Sequence, residues 1–339
     1  MGIKSRLMLF RKIIRTTAKF SIVAGLLGWM LHSGRLNLSE LTIFVDRPEI
    51  SAFSIILWII GPALLGSLRW RILLVGAGYH VTWKRAAVLQ IVGFFFSSAM
   101  PGAVSGDVIK AFYIVKDDPQ RGKTNAMMTV VMDRILGLCG LFMMGYCVML
   151  VTGAHLLEIP AVRTQFVLMT AATAGIALFL VMFMYPHKEG RDPFLRLLAK
   201  EFPGAPILRK IYVAFRIFHD QRPAIATCVA LSFVIQLLGY FLFAYVAKMM
   251  IGFEDFAALA IFYPVGVLTT ALPLAPGGIG IGHVAFDRLF HLVGVDGGAN
   301  VFNVYCLGQL ALNLLGFIPY LFLRRTSGKP DDAPVLELS

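Results

Sequence analysis

Charge is scarce in this chain. Asp, Glu, Lys and Arg make up 15% of its 339 residues, against roughly 25% in soluble domains. So little charge cannot cover a water-facing surface, which excludes an ordinary soluble enzyme. Cysteine is scarce as well. Cys139, Cys147, Cys228 and Cys306 lack C-x-x-C or C-x-H spacing, so they outline neither a disulfide framework nor a zinc site. They read as small buried hydrophobes. The sequence also lacks G-x-G-x-x-G, Walker, H-E-x-x-H and Ser-His-Asp patterns. No cofactor and no metal is expected. What is abundant is apolar: 58% of the residues are hydrophobic and the mean hydropathy is +0.76. The formal net charge is +12, but the basic residues flank apolar runs instead of gathering on one face. That pattern points away from nucleic acid and toward the cytoplasmic face of a membrane.

Apolar runs at 15–33, 51–70, 124–152, 163–185, 224–247 and 300–323 are near or above the ~18 residues that read as membrane-spanning. The first follows a basic start and has no A-x-A-like cleavage site, so it reads as a retained anchor. The runs 86–99, 108–115, 257–272 and 279–293 are too short to cross. Two Pro/Gly breaks divide them, Met100-Pro101-Gly102-Ala103-Val104-Ser105-Gly106-Asp107 and Leu272-Pro273-Leu274-Ala275-Pro276-Gly277-Gly278-Ile279-Gly280. Each short pair therefore reads as a re-entrant hairpin, 86–115 and 257–293. Backbone this irregular survives at membrane depth only inside protein or beside a wet cavity.

Charge orients the layout. With the N-terminus inside, most of the 31 basic residues fall in inner segments, among them Arg69, Arg71, Lys84 and Arg85. Only Arg35, Arg47, Arg163 and Lys248 fall outside, and Lys110, Arg134 and Arg288 stay in embedded parts. This bias fixes orientation, with both termini cytoplasmic. Residues 1–162 then read as span, span, inner hairpin, span. Residues 163–325 read as the same four elements inverted, with a polar tail at 326–339 expected to be disordered. Inverted repeats with paired breaks place a binding site near the midplane. Between the spans at 163–185 and 224–247, the segment 190–221 puts Ile207, Ile211, Phe215 and Phe218 on one helical face. It reads as an amphipathic helix in the inner headgroup layer, or as a loop helix packed on protein. The expected fold class is an all-α polytopic membrane protein with about six full transmembrane helices and two re-entrant broken-helix hairpins.

Few polar side chains lie at depth, and those few carry the functional reading. Asp107 follows the first break, where Ser105 can cap a half-helix whose positive end faces the carboxylate. Lys110 is one turn on. Asp133 and Arg134 lie well inside the span at 124–152, where charge is costly and must be partnered. Adjacent helix residues do not face each other, so each needs its own partner: Asp107 for Arg134, and Lys110 or substrate for Asp133. The planar fork of Arg134 suits a phosphate. Gly277, Gly278 and Gly280 open a second half-helix whose free N–H groups suit an anion. His283, Asp287 and His291 share a face, which could hold a metal, but no fourth ligand is evident. With Arg288 they read as polar lining of an outer cavity. The plainer alternatives are a first-turn acid at Asp107, an internal ion pair at Asp133 and Arg134, and a tight turn at the glycines.

Three motifs carry a resemblance: Pro101-Gly102…Gly106-Asp107…Lys110, then Asp133-Arg134-Ile135-Leu136-Gly137, then Leu272-Pro273…Pro276-Gly277-Gly278-Ile279-Gly280. In this order, over about 15–325, the chain resembles the flippase-like membrane family that includes the transmembrane region of lysylphosphatidylglycerol synthases. It departs from that pattern at Asp133, where Glu is frequent, at Lys110, where Arg is common, and at His283, near a frequently acidic position. The soluble synthase domain is absent from this sequence, so lysyl transfer is not expected. The resemblance implies translocation of a phospholipid or lipid-linked anionic substrate in a prokaryotic inner membrane. Asp107, Lys110, Asp133, Arg134, Gly277, Gly278, Gly280, His283, Asp287 and Arg288 are the candidate substrate-binding residues. A membrane-embedded lipid-modifying enzyme and a non-transporting partner subunit of envelope lipid synthesis are the alternatives. A second copy or a lipid-biosynthesis protein would be the partner. Fusions to a phosphatase active only outside the cytoplasm test the orientation: activity is expected for a fusion after His155, and none after Gln120 or Pro330.

Overall fold

The structure is a computed structural model that describes residues 42–99, 105–152, 155–184, 216–270 and 280–326. The regular elements among them are all helical, with no strand. A short α1 (Ile43–Asp46) precedes α2 (Pro48–Trp58). A π-helical stretch (Ile59–Leu65) then leads into α3 (Gly66–Gly76). Pro62 has no N–H for the ladder, and the Gly66 N–H reaches back to the Gly61 carbonyl, five residues away, the register of a π turn. A hairpin follows, α4 (Trp83–Ala99) and α5 (Ser105–Asp117). Three long helices come next: α6 (Lys123–Thr152), α7 (Pro160–Met184) and α8 (Arg222–Ile251). Then come a second helix pair, α9 (Phe256–Thr270) and α10 (Ile281–His291), and finally α11 (Gly298–Leu314) and α12 (Phe317–Thr326).

Among the described residues, five stretches are long and apolar enough to cross a membrane: Pro48–Gly76, Lys123–Val151, Pro160–Val181, Arg222–Ile251 and Gly298–Leu323. They match the expected runs within the described residues. The expected run at 15–33, both hairpin tips, most of 190–221 and the tail beyond 326 lie outside them. The run expected at 51–70 is corrected. Its helix continues to Gly76 because Ile72, Leu73, Leu74 and Val75 follow the basic pair, so Arg69 is a buried residue of a span and not of an inner loop.

The contacts give the directions of the helices. Along the first hairpin, Arg85 meets Asp117, Lys110 meets Gln90 and Ser105 meets Phe96. As one arm's numbers rise the other's fall, so the arms are antiparallel. They touch at Gly93 and Gly106, where a Cβ on Gly106 would overlap the Gly93 carbonyl oxygen. In the second pair Gly266 lies against Phe286 and Phe262 against Phe290, also antiparallel. Arg85 and Asp117 close the mouth of the first hairpin. At the same end Gly76 packs on Gln221 and Phe218, and the Tyr79 hydroxyl donates to the Gly122 carbonyl at 2.7 Å. Burial pushes the Tyr79 phenol above its ordinary pKa. At the opposite end Arg47 meets Met249, Gly297 meets Ile251 and Phe253 packs on Phe290. The two helix pairs therefore open at opposite ends of the bundle.

α8 runs through the middle, packing on α2, α3, α6, α9 and α11. It meets α6 where Gly140 touches the backbone of Ser232 and Phe233. One apolar cluster gathers Tyr240, Phe243, Phe262, Phe286 and Phe290, and a second gathers Trp70, Leu73, Leu74, Ile114 and Leu136. α7 is the least enclosed span, with Val167, Leu168, Leu178 and Val181 exposed, as suits a lipid-facing helix. Replacing Gly106 by Ala should force the hairpin arms apart and cost about 1–3 kcal/mol, lowering the unfolding temperature in detergent. Gly175→Ala, with open space around its Cβ, should leave it unchanged.

Candidate functional site

Polar side chains from five helices converge at one level of the bundle. Asp107 lies ten residues from the end of α5, and Asp133 and Ser232 lie ten residues into α6 and α8. At 1.5 Å per residue each is about 15 Å in. Arg69 lies on α3 at a similar level, and Gln90 of α4 joins from the facing hairpin arm. These five helix ends belong to the same end of the bundle, where the first hairpin opens. Half of a ~30 Å hydrocarbon core is also about 15 Å.

The cluster is built on two carboxylates. The Asp107 Oδ1 accepts from Lys110 Nζ at 2.8 Å, one helical turn away. Its Oδ2 takes both Nε and Nη2 of Arg134, at 2.7 and 2.6 Å. Lys110 Nζ also donates to Gln90 Oε1 at 2.9 Å and lies 4.7 Å from the centroid of the Trp70 ring, a cation–π contact. Thr129 holds that ring in place by accepting from the indole N–H at 3.3 Å. Asp133 points the other way around α6. Its Oδ1 accepts from Arg69 Nε at 2.8 Å, and Arg69 Nη1 donates to the Ser232 hydroxyl at 2.8 Å. Ser232 in turn donates to the Cys228 carbonyl. Burial differs sharply within the cluster: the Lys110 side chain is 4% exposed and that of Arg134 is 49% exposed.

The expected pairing of Arg134 with Asp107 is present. The expected pairing of Asp133 with Lys110 is not, because Arg69 reaches Asp133 from α3 while Lys110 is held within its own hairpin. The sequence reading missed Arg69, Gln90, Trp70 and Ser232. The signal for Arg69 was the apolar run that resumes at Ile72. Ser105, expected as a cap, donates its hydroxyl to the Phe96 carbonyl of the facing arm at 3.0 Å.

The second helix pair is chemically different. Gly277 and Gly278 lie outside the described residues. Gly280 precedes α10 with a φ of +91°, a conformation that glycine adopts without strain. Its N–H donates to His283 Nδ1 at 3.2 Å, which puts the ring proton on Nε2, 3.1 Å from Asn303 Oδ1. His283 thus ties the start of α10 to α11, edge-on to Phe302. Asp287 pairs with His291 at 3.6 Å, and His291 also lies 3.2 Å from Asp296. Arg288 is exposed near that end of α10. The outer polar lining expected from His283, Asp287, Arg288 and His291 is therefore divided between a helix–helix contact and an exposed helix end. No group of three or more metal-ligating His, Cys, Asp or Glu side chains occurs among the described residues.

Fold and sequence now agree on a class: an all-helical, multi-pass membrane protein with charged side chains buried at depth. The chain belongs to the family described as the lysylphosphatidylglycerol synthase TM region, which matches it over residues 16–310. It is also similar to UPF0104 membrane protein PH1989 of Pyrococcus horikoshii, with 24% identity over 257 residues, 69% of this chain and 74% of that protein. No solved structure matches. Removing Arg69 tests the buried half of the cluster. Arg69→Met leaves Asp133 buried without its cation and should cost about 3–5 kcal/mol, read as a lower unfolding temperature. Adding Asp133→Asn should restore most of the loss, because a neutral amide replaces the stranded charge.

Proposed function

We propose that the protein translocates a phospholipid or lipid-linked substrate across the cytoplasmic membrane, with the anionic headgroup held at Arg134 between two re-entrant hairpins. The observation that carries this reading is a half-exposed guanidinium about 15 Å inside a membrane helix. Facing hydrocarbon there would cost ~2.5 kcal/mol or more, so such a residue belongs beside water or a bound polar group. Its planar donors fit phosphate oxygens. Asp107, Lys110 and Asp133 hold the surrounding charges in register, and Gly277, Gly278 and Gly280 assist from the other hairpin.

The packing supports an inverted repeat of residues 1–162 and 163–325. The first arm of each hairpin lies on the last span of the other half: α4 on α11, and α9 on α6. The hairpins open at opposite ends, as alternating access to a shared central site requires. Lys84, Arg85, Lys116, Arg121, Lys123 and Arg222 lie toward the end where the first hairpin opens, which favours that end as cytoplasmic. The test is flipping of fluorescent lipids with anionic, zwitterionic and aminoacylated headgroups in liposomes containing the protein. Headgroup-dependent flipping is expected. Arg134→Ala should abolish it and Arg134→Lys should retain part of it, since Lys keeps the charge and loses the fork. Wild-type flipping by folded Arg134→Ala would rule out the site.

A further inference from the structure

The exposed guanidinium is already occupied. Both of its hydrogen bonds to Asp107 fall on the single oxygen Oδ2, while Oδ1 belongs to Lys110. One carboxylate thus bridges a reachable cation and a sealed one. Lys110 is closed in by Gln90, by the Trp70 ring and by its own packing on Gly93, where even a methyl would come within 2.8 Å of the lysine stem. An anion cannot reach Lys110 without parting the hairpin arms. It can reach Arg134, but it must compete there with Oδ2. The other acid on α6, Asp133, is turned away and held by Arg69, so it does not take part in the exchange.

We propose that Asp107 is a built-in competitor for the headgroup. Its Oδ2 holds Arg134 while the site is empty, an anionic phosphodiester displaces it, and Lys110 keeps the displaced carboxylate paired. This rests on the reading of Arg134 as the headgroup site. The exchange swaps one anion for another on the same guanidinium and breaks no covalent bond. It needs no proton, because Lys110 remains as counter-ion. Asp107, Lys110 and Arg134 together carry one net positive charge. A phosphodiester with one negative charge neutralises them, whereas a dianionic phosphomonoester leaves excess negative charge at depth, which is unfavourable. The competitor also weakens binding, and a translocation site must let its cargo leave.

Calorimetric binding of dihexanoyl phosphatidylglycerol to the full-length protein in detergent tests this. Dihexanoyl phosphatidic acid serves as the dianionic comparison, and glycerophosphoglycerol as the same phosphodiester without acyl chains. Asp107→Asn should tighten phosphatidylglycerol binding by about tenfold or more, since a charge-assisted competitor is removed. The double variant Asp107→Asn, Lys110→Met strands no buried charge and should tighten it by a similar factor. Arg134→Ala should abolish binding in every background, and wild type should prefer phosphatidylglycerol to phosphatidic acid. Unchanged or weaker binding by Asp107→Asn, with Arg134→Ala still inactive, would overturn the competitor and leave the headgroup site standing. Loss of binding in the double variant would make Lys110 a ligand and overturn its sealing role. Wild-type binding by Arg134→Ala, absence of binding by every protein, or equal binding of glycerophosphoglycerol would overturn the lipid-headgroup site itself.

Discussion

A charge at the middle of a bilayer must have a partner, and the half of the bundle around the first hairpin is arranged to meet that requirement. Arg69 to Asp133 fixes α3 against α6, and Asp107 to Arg134 fixes α5 against α6. Ser232 extends the same network to α8. Each pair tolerates little sliding, because one helical residue of slip moves a partner by 1.5 Å along the axis and turns it away. The pairs therefore set register. Their net contribution to stability is smaller than their number suggests, since desolvating two charges offsets much of their attraction. A purely apolar interface could hold these helices equally well, so the charges need another account, and the half-exposed Arg134 supplies one.

Glycine makes the network reachable. Gly93 and Gly106 bring the arms of the first hairpin into backbone contact, which lets the short reach from Lys110 to Gln90 close. Gly140 does the same where α6 meets α8, placing Ser232 within reach of Arg69. The second helix pair is assembled by other means. Phe286 lies over Gly266 and stacks on Phe302, with Phe262 and Phe290 alongside. Its polar contacts to α11 include His283 to Asn303 and the Tyr263 to Tyr305 hydroxyl pair. The two hairpins share an architecture and open in opposite directions, yet one is organised by ions and the other by aromatic rings.

Much of this was legible in the chain. Run length located the five described spans to within a few residues, except that the run ending near Arg69 continues to Gly76. Of the first Pro/Gly break, Ser105, Gly106 and Asp107 form the first turn of α5. The Arg134–Asp107 pair followed from depth and spacing, because so few side chains at that level could answer a guanidinium. Arg69 was harder to place. Its neighbours Arg71, Lys84 and Arg85 made the segment resemble a basic flank, against which stood the apolar run that resumes at Ile72, and contact with Asp133 of α6 shows that Arg69 faces inward. Gln90, Trp70 and Ser232 carry no formal charge, so spacing alone could not distinguish them from other core positions. The contacts of His283 were not legible either: helical periodicity places it with Asp287 and His291, while its ring meets the Gly280 N–H and Asn303.

The asymmetry between the halves bears on how such a site could work. If both hairpins carried a carboxylate-held arginine, an anionic headgroup would meet two traps in series, and release from one would be capture by the other. Under the proposed reading, a single charged anchor on α6 avoids this. In the proposed function, an inverted scaffold would offer similar exits in both directions, with the headgroup gripped at one level. Within that frame Asp107 does two things. It pairs with Arg134, and under the proposed exchange it would set how tightly an anion can be held. Under the proposed exchange, binding strength and the stability of the empty site are therefore not independent quantities, because the same carboxylate oxygen sets both.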